Sequence, residues 1–122
     1  MKPLFLEIDK EITRFSSFCT PAIARYFFEL KEHSDLHKLT EIYSFGMQEG
    51  LPIIFIGGGT NVIFAFDIFN GIVIRNTMKG FTIEENLAKV RSGELTSVLS
   101  LQICKLKKDS VFQKWIGLPG TV

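Results

Sequence analysis

The stretch PIIFIGGGTN at residues 52–61 limits what this chain can become more than any other. Its apolar half is a run of branched and aromatic residues bounded by turn formers, too short for a useful helix, and reads as a buried strand. The strand drops directly into Gly57, Gly58 and Gly59. Without Cβ atoms these residues can turn successive N–H groups toward one point and form an anion-binding concavity. Thr60 and Asn61 add a hydroxyl and an amide at the rim, groups that suit phosphate oxygens. A tight turn that merely ends a core strand uses the same residues, so a glycine loop alone leaves both readings open.

Two common phosphate loops are excluded by the letters themselves. A Walker loop needs Lys and Ser or Thr directly after its last glycine, and here Gly59 is followed by Thr60 and Asn61. The dinucleotide fingerprint GxGxxG fits Gly57 and Gly59 but meets Val62 where its third glycine belongs.

The surrounding chain sets the class. With 122 residues and 46% hydrophobic composition it can bury one modest core, so one domain or part of one is expected. Fourteen basic against 13 acidic residues, a net charge of +1, give no electrostatic footprint for nucleic acid. Cys19 and Cys104 stand alone, as reduced cytosolic thiols do, and His33 and His37 have helical metal-pair spacing without a third ligand, so no metal is expected. The start MKPLFLEIDKEI is acidic by its seventh residue and no run reaches membrane-span length, which predicts a soluble, cytoplasmic protein. Twelve Phe residues point either to apolar surface for a cofactor or second domain, or to compositional bias.

Residues 1–23 form a lead-in, with 16–22 as a loop. Residues 24–30, ARYFFEL, have strand composition. Over 34–49 the spacing of Leu36, Leu39, Tyr43 and Met47 predicts an amphipathic helix with these residues inward, Ser34 as N-cap and Gly50 beyond its end. The strand at 52–56 completes a strand, helix, strand unit, for which parallel pairing is expected. A turn at 67–71 around Asn70 and Gly71 precedes a strand at 72–75. Residues 81–84 and 88–91 read as a hairpin, and 96–108 as a second helix with Val98, Leu99, Ile103 and Leu106 inward and Lys105, Lys107 and Lys108 at its negative end. The last segment, WIGLPGTV, is a second backbone-exposing loop that reads as a motif cut midway, hence as part of a longer protein.

Taken together, Ala24 to Phe27, Gly50 to Pro52, Gly57 to Asn61, the GxVIR pattern at 71–75 and GLPGTV at 117–122 carry a family likeness. In this order and spacing they resemble the N-terminal FAD-binding domain of the UDP-N-acetylmuramate dehydrogenases, also called UDP-N-acetylenolpyruvoylglucosamine reductases, flavoenzymes of peptidoglycan precursor synthesis. The resemblance implies an α+β fold, the FAD-binding PCMH type, with a small parallel βαβ part at 24–76 and the start of an antiparallel part at 77–122, incomplete at its C-terminus. It implies FAD as cofactor, with Gly57, Gly58, Gly59, Thr60 and Asn61 cradling the pyrophosphate and Pro119, Gly120 and Thr121 against the flavin end. Two positions depart from the family pattern: Ser16, Ser17 and Phe18 stand for its Asn-Thr-Phe, followed by Cys19 to Ala22 in place of a glycine pair, and Ser92, Gly93, Glu94 keeps only the glycine of a small-Gly-small element.

In that family a hydride passes from NADPH to the flavin and on to the enolpyruvyl group of a UDP-sugar, and the catalytic groups lie in later segments. No residue here is therefore assigned a catalytic role, and turnover by this chain alone is not expected. NADPH and the UDP-sugar become partners only where the remaining domain is present. The FAD domain of another flavin oxidase or dehydrogenase, or a non-enzymatic nucleotide-binding module, remain as alternatives.

Overall fold

Alternating side chains in two long apolar segments feed both faces of a central sheet. The computed structural model describes residues 1–108 and 110–122. Strands β1 (Glu7–Glu11), β2 (Ile23–Leu30), β3 (Ile53–Ile56) and β4 (Ile68–Asn76) make a sheet of order β1-β2-β4-β3, and β5 (Phe81–Glu84) pairs with β6 (Leu87–Val90) as a separate hairpin. Helix α1 (Leu36–Glu49) connects β2 to β3, and α2 (Thr96–Lys107) follows the hairpin. The mixed architecture is α+β, as expected.

On one face Phe28, Leu30, Ile72 and Ile74 pack with Ile42 and Phe45 of α1; on the other Ala24, Phe27, Ile56 and Val73 pack with Ile12, Ala22 and Phe64 from flanking loops. Each of the larger of these side chains, the alanines excepted, contributes roughly 1.5–3 kcal/mol through removal from water. β4 holds the three consecutive buried residues Ile72, Val73 and Ile74, and this two-sided apolarity takes it to the centre. It pairs in parallel with both β2 and β3, so the expected parallel direction is present but β2 and β3 are not neighbours.

The turn expected at 67–71 is instead the first half of β4. Pairing passes from Ala24 with Phe69 to Tyr26 with Ile72, so Asn70 and Gly71 together oppose Arg25 as a bulge. The bulge lets the Pro52 carbonyl accept the Ile72 N–H at 2.8 Å, and a Cβ on Gly71 would lie 2.4 Å from that carbonyl oxygen. A turn-forming pair thus serves inside a strand because another backbone needs the space.

The inner face of α1 also differs from the expected stripe. Ile42, Phe45 and Gly46 are buried while Tyr43 and Met47 are 61% and 66% exposed, a rotation set by the close fit of Gly46 against Ile53. Along α2, Val98 and Leu106 are exposed and Leu99 and Ile103 half-buried, because the sheet packs on α1 and α2 packs mainly on the short 3-10 turn at Gln113–Trp115. Ser34 does not cap α1; it lies in a 3-10 turn, and Asp35 is the N-cap. The Asp35 carboxylate accepts from Lys38 Nζ at 2.8 Å and from the Glu32 and Lys31 amides at 3.1 and 3.3 Å. Gly50 ends the helix in the left-handed conformation at φ +63°, as the sequence suggests.

The hydrogen bond from Lys38, reinforced by the Glu32 amide, holds the Asp35 carboxyl below its usual 3.8. A carboxyl lowered in the folded state adds stability that is present above its unfolded value and lost as pH falls through the folded one. Asp35→Asn is expected to lower stability at neutral pH by about 1 kcal/mol, with the gap to wild type closing in urea titrations as pH falls through and below the ordinary 3.8 of the carboxyl. Gly71→Ala is expected to cost about 3 kcal/mol by the same measurement, through the clash with Pro52.

Candidate cofactor-binding site

The site begins where β3 ends. Ile56 is in register with Arg75 of β4, and beyond it the chain leaves the sheet through Gly57. Ligands of parallel sheets bind outside the carboxyl ends of their strands, and the glycine loop lies at that end of β3. Among the described residues, none of the amides from Gly57 to Asn61 donates to another protein group. Gly58 and Asn61 are exposed, Gly57 and Thr60 half-buried and Gly59 buried, so the residues on either side of Gly59 reach solvent at the sheet margin.

What fixes the loop is a segment outside it. Gly59 is buried with φ +70°, and a Cβ there would lie 1.8 Å from the Phe15 carbonyl oxygen, so only glycine fits. The Ser17 amide donates to the Gly59 carbonyl at 3.0 Å, and the buried Ser16 hydroxyl donates to the Val62 carbonyl. The middle of the loop at Gly59 and the residue just beyond it, Val62, are therefore held through carbonyls, while the loop's N–H groups stay unspent.

The chain's last residues meet the same loop. Thr121 bridges Leu95, Thr96 N–H donates to the Gly120 carbonyl at 3.2 Å, and Val122 N–H to the Glu94 carbonyl at 3.0 Å. Glu94, 7% exposed, accepts from the Gly80 amide at 2.8 Å and its neighbour Leu95 at 3.0 Å, tying the hairpin to this junction. Thr121 Oγ1 lies 2.8 Å, and its methyl 3.6 Å, from where Cβ atoms on Gly57 and Gly58 would stand. The two loops singled out in the sequence are thus brought together, with Thr121 against Gly57 and Gly58, Gly120 behind it and Pro119 exposed at the rim.

Sequence reasoning had no place at the site for Phe15, and met Ser16 and Ser17 only as departures from the family pattern; their contacts run through the Phe15 carbonyl, the Ser16 hydroxyl and the Ser17 amide. Arg75 was a family-pattern residue without a role. Its Cζ lies 4.2 Å from the Phe15 ring centroid and its Nη1 3.6 Å from Glu29 Oε1, while its Nε is buried without a hydrogen-bond partner.

Unspent amide donors with no carboxylate in the loop suit a phosphate ester better than a cation or an apolar ligand. Among the described residues no group of three His, Cys, Asp or Glu is placed to hold a metal; His33 is in the 3-10 turn and His37 in the first turn of α1. No described helix is long and apolar enough to cross a membrane.

Comparison with known proteins puts this geometry in context. No family model matches the chain. It is 34% identical over 121 residues to a UDP-N-acetylenolpyruvoylglucosamine reductase of Chlamydia muridarum, covering 98% of this chain and 40% of that protein. The reductase of Caldicellulosiruptor saccharolyticus is 29% identical over 115 residues, covering 93% of this chain and 36% of that one. The crystal structure of UDP-N-acetylenolpyruvylglucosamine reductase from Thermus caldophilus superposes with a TM-score of 0.65 at 17% identity, over 97% of this chain and 40% of the other, and shows the shared fold. The chain thus spans about 40% of the length of the curated relatives it matches first.

Gly59→Ala is expected to cost about 3 kcal/mol, since the Phe15 carbonyl cannot retreat without breaking the Ser17 contact. Thr121→Ala, at a half-buried position, is expected to stay within about 1 kcal/mol of wild type. Urea unfolding of the two variants checks both values.

Proposed function

We infer that this chain, a homologue of the UDP-N-acetylenolpyruvoylglucosamine reductases along almost its whole length, supplies the FAD-binding part of such a reductase. Residues 24–122 are the FAD-binding domain in this reading, with 24–76 as its parallel part and 77–122 as the start of its second part. The observation that carries it is the set of unspent amides from Gly57 to Asn61 at the carboxyl end of β3, closed on one side by Thr121.

A diphosphate needs several donors at close range, and this loop offers them without a bulky side chain. Gly57, Gly58, Gly59, Thr60 and Asn61 would hold the FAD diphosphate, and Pro119, Gly120 and Thr121 would lie toward the flavin. When bound, FAD supplies hydride transfer, which protein side chains do not. What the residues contribute is binding and orientation: Gly59 sets the loop's path against Phe15, and Thr121 borders Gly57 and Gly58. No group here has the role of a general acid or an electrostatic stabiliser.

In the complete reductase the hydride would come from NADPH and go to the enolpyruvyl group of the UDP-sugar, in the cytoplasm, as a step of peptidoglycan synthesis. Phe55, Leu106 and Leu118, each more than half exposed, are apolar surface that the remainder of such an enzyme would cover.

Titration of the chain into FAD is expected to quench flavin fluorescence and shift the visible flavin band; no change with folded protein contradicts the reading. Gly58→Asp meets only ordinary van der Waals distance at its new Cβ, 3.6 Å from the Thr121 methyl, yet sets a carboxylate among the donors. It is expected to keep the fold and weaken FAD binding by more than about tenfold, equivalent to about 1.4 kcal/mol.

A further inference from the structure

We propose that Arg75 provides the positive charge of a diphosphate site whose hydrogen-bond donors are the amides of the glycine loop; this rests on the reading of that loop as the FAD site. Arg75 is directly opposite Ile56, the last residue before the loop. Phe15 links the two: its ring lies beneath the guanidinium, with Cζ 4.2 Å from the centroid, and its carbonyl borders Gly59.

The charge of Arg75 is incompletely answered within the protein. Its nearest carboxylate oxygen, Glu29 Oε1, is 3.6 Å from Nη1, beyond hydrogen-bond range, and Glu29 is shared with Lys31 at 3.1 Å and the Thr77 hydroxyl at 3.4 Å. One carboxylate therefore stands between two cations. Nε is buried with no acceptor, although a guanidinium has five N–H groups that ordinarily find partners. The side chain is 27% exposed, so its outer edge reaches solvent while the stack on Phe15 restrains it from swinging away.

A guanidinium only partly neutralised by a shared carboxylate, near a loop of unspent amides, is the combination that suits a doubly charged phosphate group. The amides supply direction, and the guanidinium supplies the charge and a fork matched to phosphate oxygens. No acidic side chain occurs in residues 57–61 to compete for it. Arg75 acts here as a positioning residue for the cofactor, with no part in proton or hydride movement.

The test compares wild type with Arg75→Gln and Arg75→Lys, titrating FAD, ADP and riboflavin into each 122-residue chain and recording thermal unfolding without ligand. Arg75→Gln is expected to weaken FAD and ADP by about tenfold and leave riboflavin unchanged, with Arg75→Lys intermediate and the wild-type FAD affinity falling as salt is raised. Equal FAD affinity in wild type and Arg75→Gln overturns the inference and leaves the FAD reading standing. Equal weakening of FAD and riboflavin, with a lowered unfolding midpoint, reduces Arg75 to a structural clamp on Phe15 and also overturns it. Should wild type bind ADP but not FAD, the FAD reading fails, and loss of ADP binding in Arg75→Gln still upholds the diphosphate site. Binding of neither overturns both.

Discussion

The contact between Gly59 and the Phe15 carbonyl is the constraint on which the rest of the site depends. Two backbones meet there at a distance that no side chain at Gly59 would permit. Because Ser17 and Ser16 take up the carbonyls of Gly59 and Val62, the loop is held without using its own donors. A donor that is not taken up by another protein group is free to exchange its water for a ligand acceptor. A loop fixed through its acceptors and open through its donors is in that sense prepared for an anion.

The sheet delivers the loop to this position. β4, apolar on both sides, takes the centre and aligns β2 and β3 in parallel beside it, so their carboxyl ends share one margin. The Asn70 and Gly71 bulge lets β4 accommodate Pro52 at the start of β3. The hairpin and α2 then return the terminal segment to the same margin, where Glu94 holds Gly80, Leu95 and Val122 through its carboxylate and carbonyl. Sheet packing thus bears directly on where Thr121 meets Gly57.

Much of this was legible in the letters. The strand ARYFFEL at 24–30, the helix expected over 34–49, the hairpin and the glycine loop at the end of a parallel strand all follow from local composition and punctuation, with the N-cap of the helix one residue later than expected. What local reading lost were features set by a distant partner. Asn70 and Gly71 look like a turn until Pro52 is seen to need their space, and Tyr43 and Met47 look inward until Gly46 packs against Ile53. Strand order was hidden for the same reason: the burial of β4 on both faces decides it, and no feature of β2 or β3 reveals that another strand comes between them. The roles of Phe15, Ser16 and Ser17 lie largely in backbone and hydroxyl contacts made more than forty residues away in sequence.

The donors themselves can be observed directly. In amide-resolved NMR of the chain with and without FAD, the resonances of Gly57, Gly58, Gly59, Thr60 and Asn61 are predicted to move downfield together and to gain protection from solvent exchange, while residues of β1 stay in place. Unchanged resonances across the loop in the presence of bound FAD would contradict the central claim that these amides hold the cofactor's diphosphate.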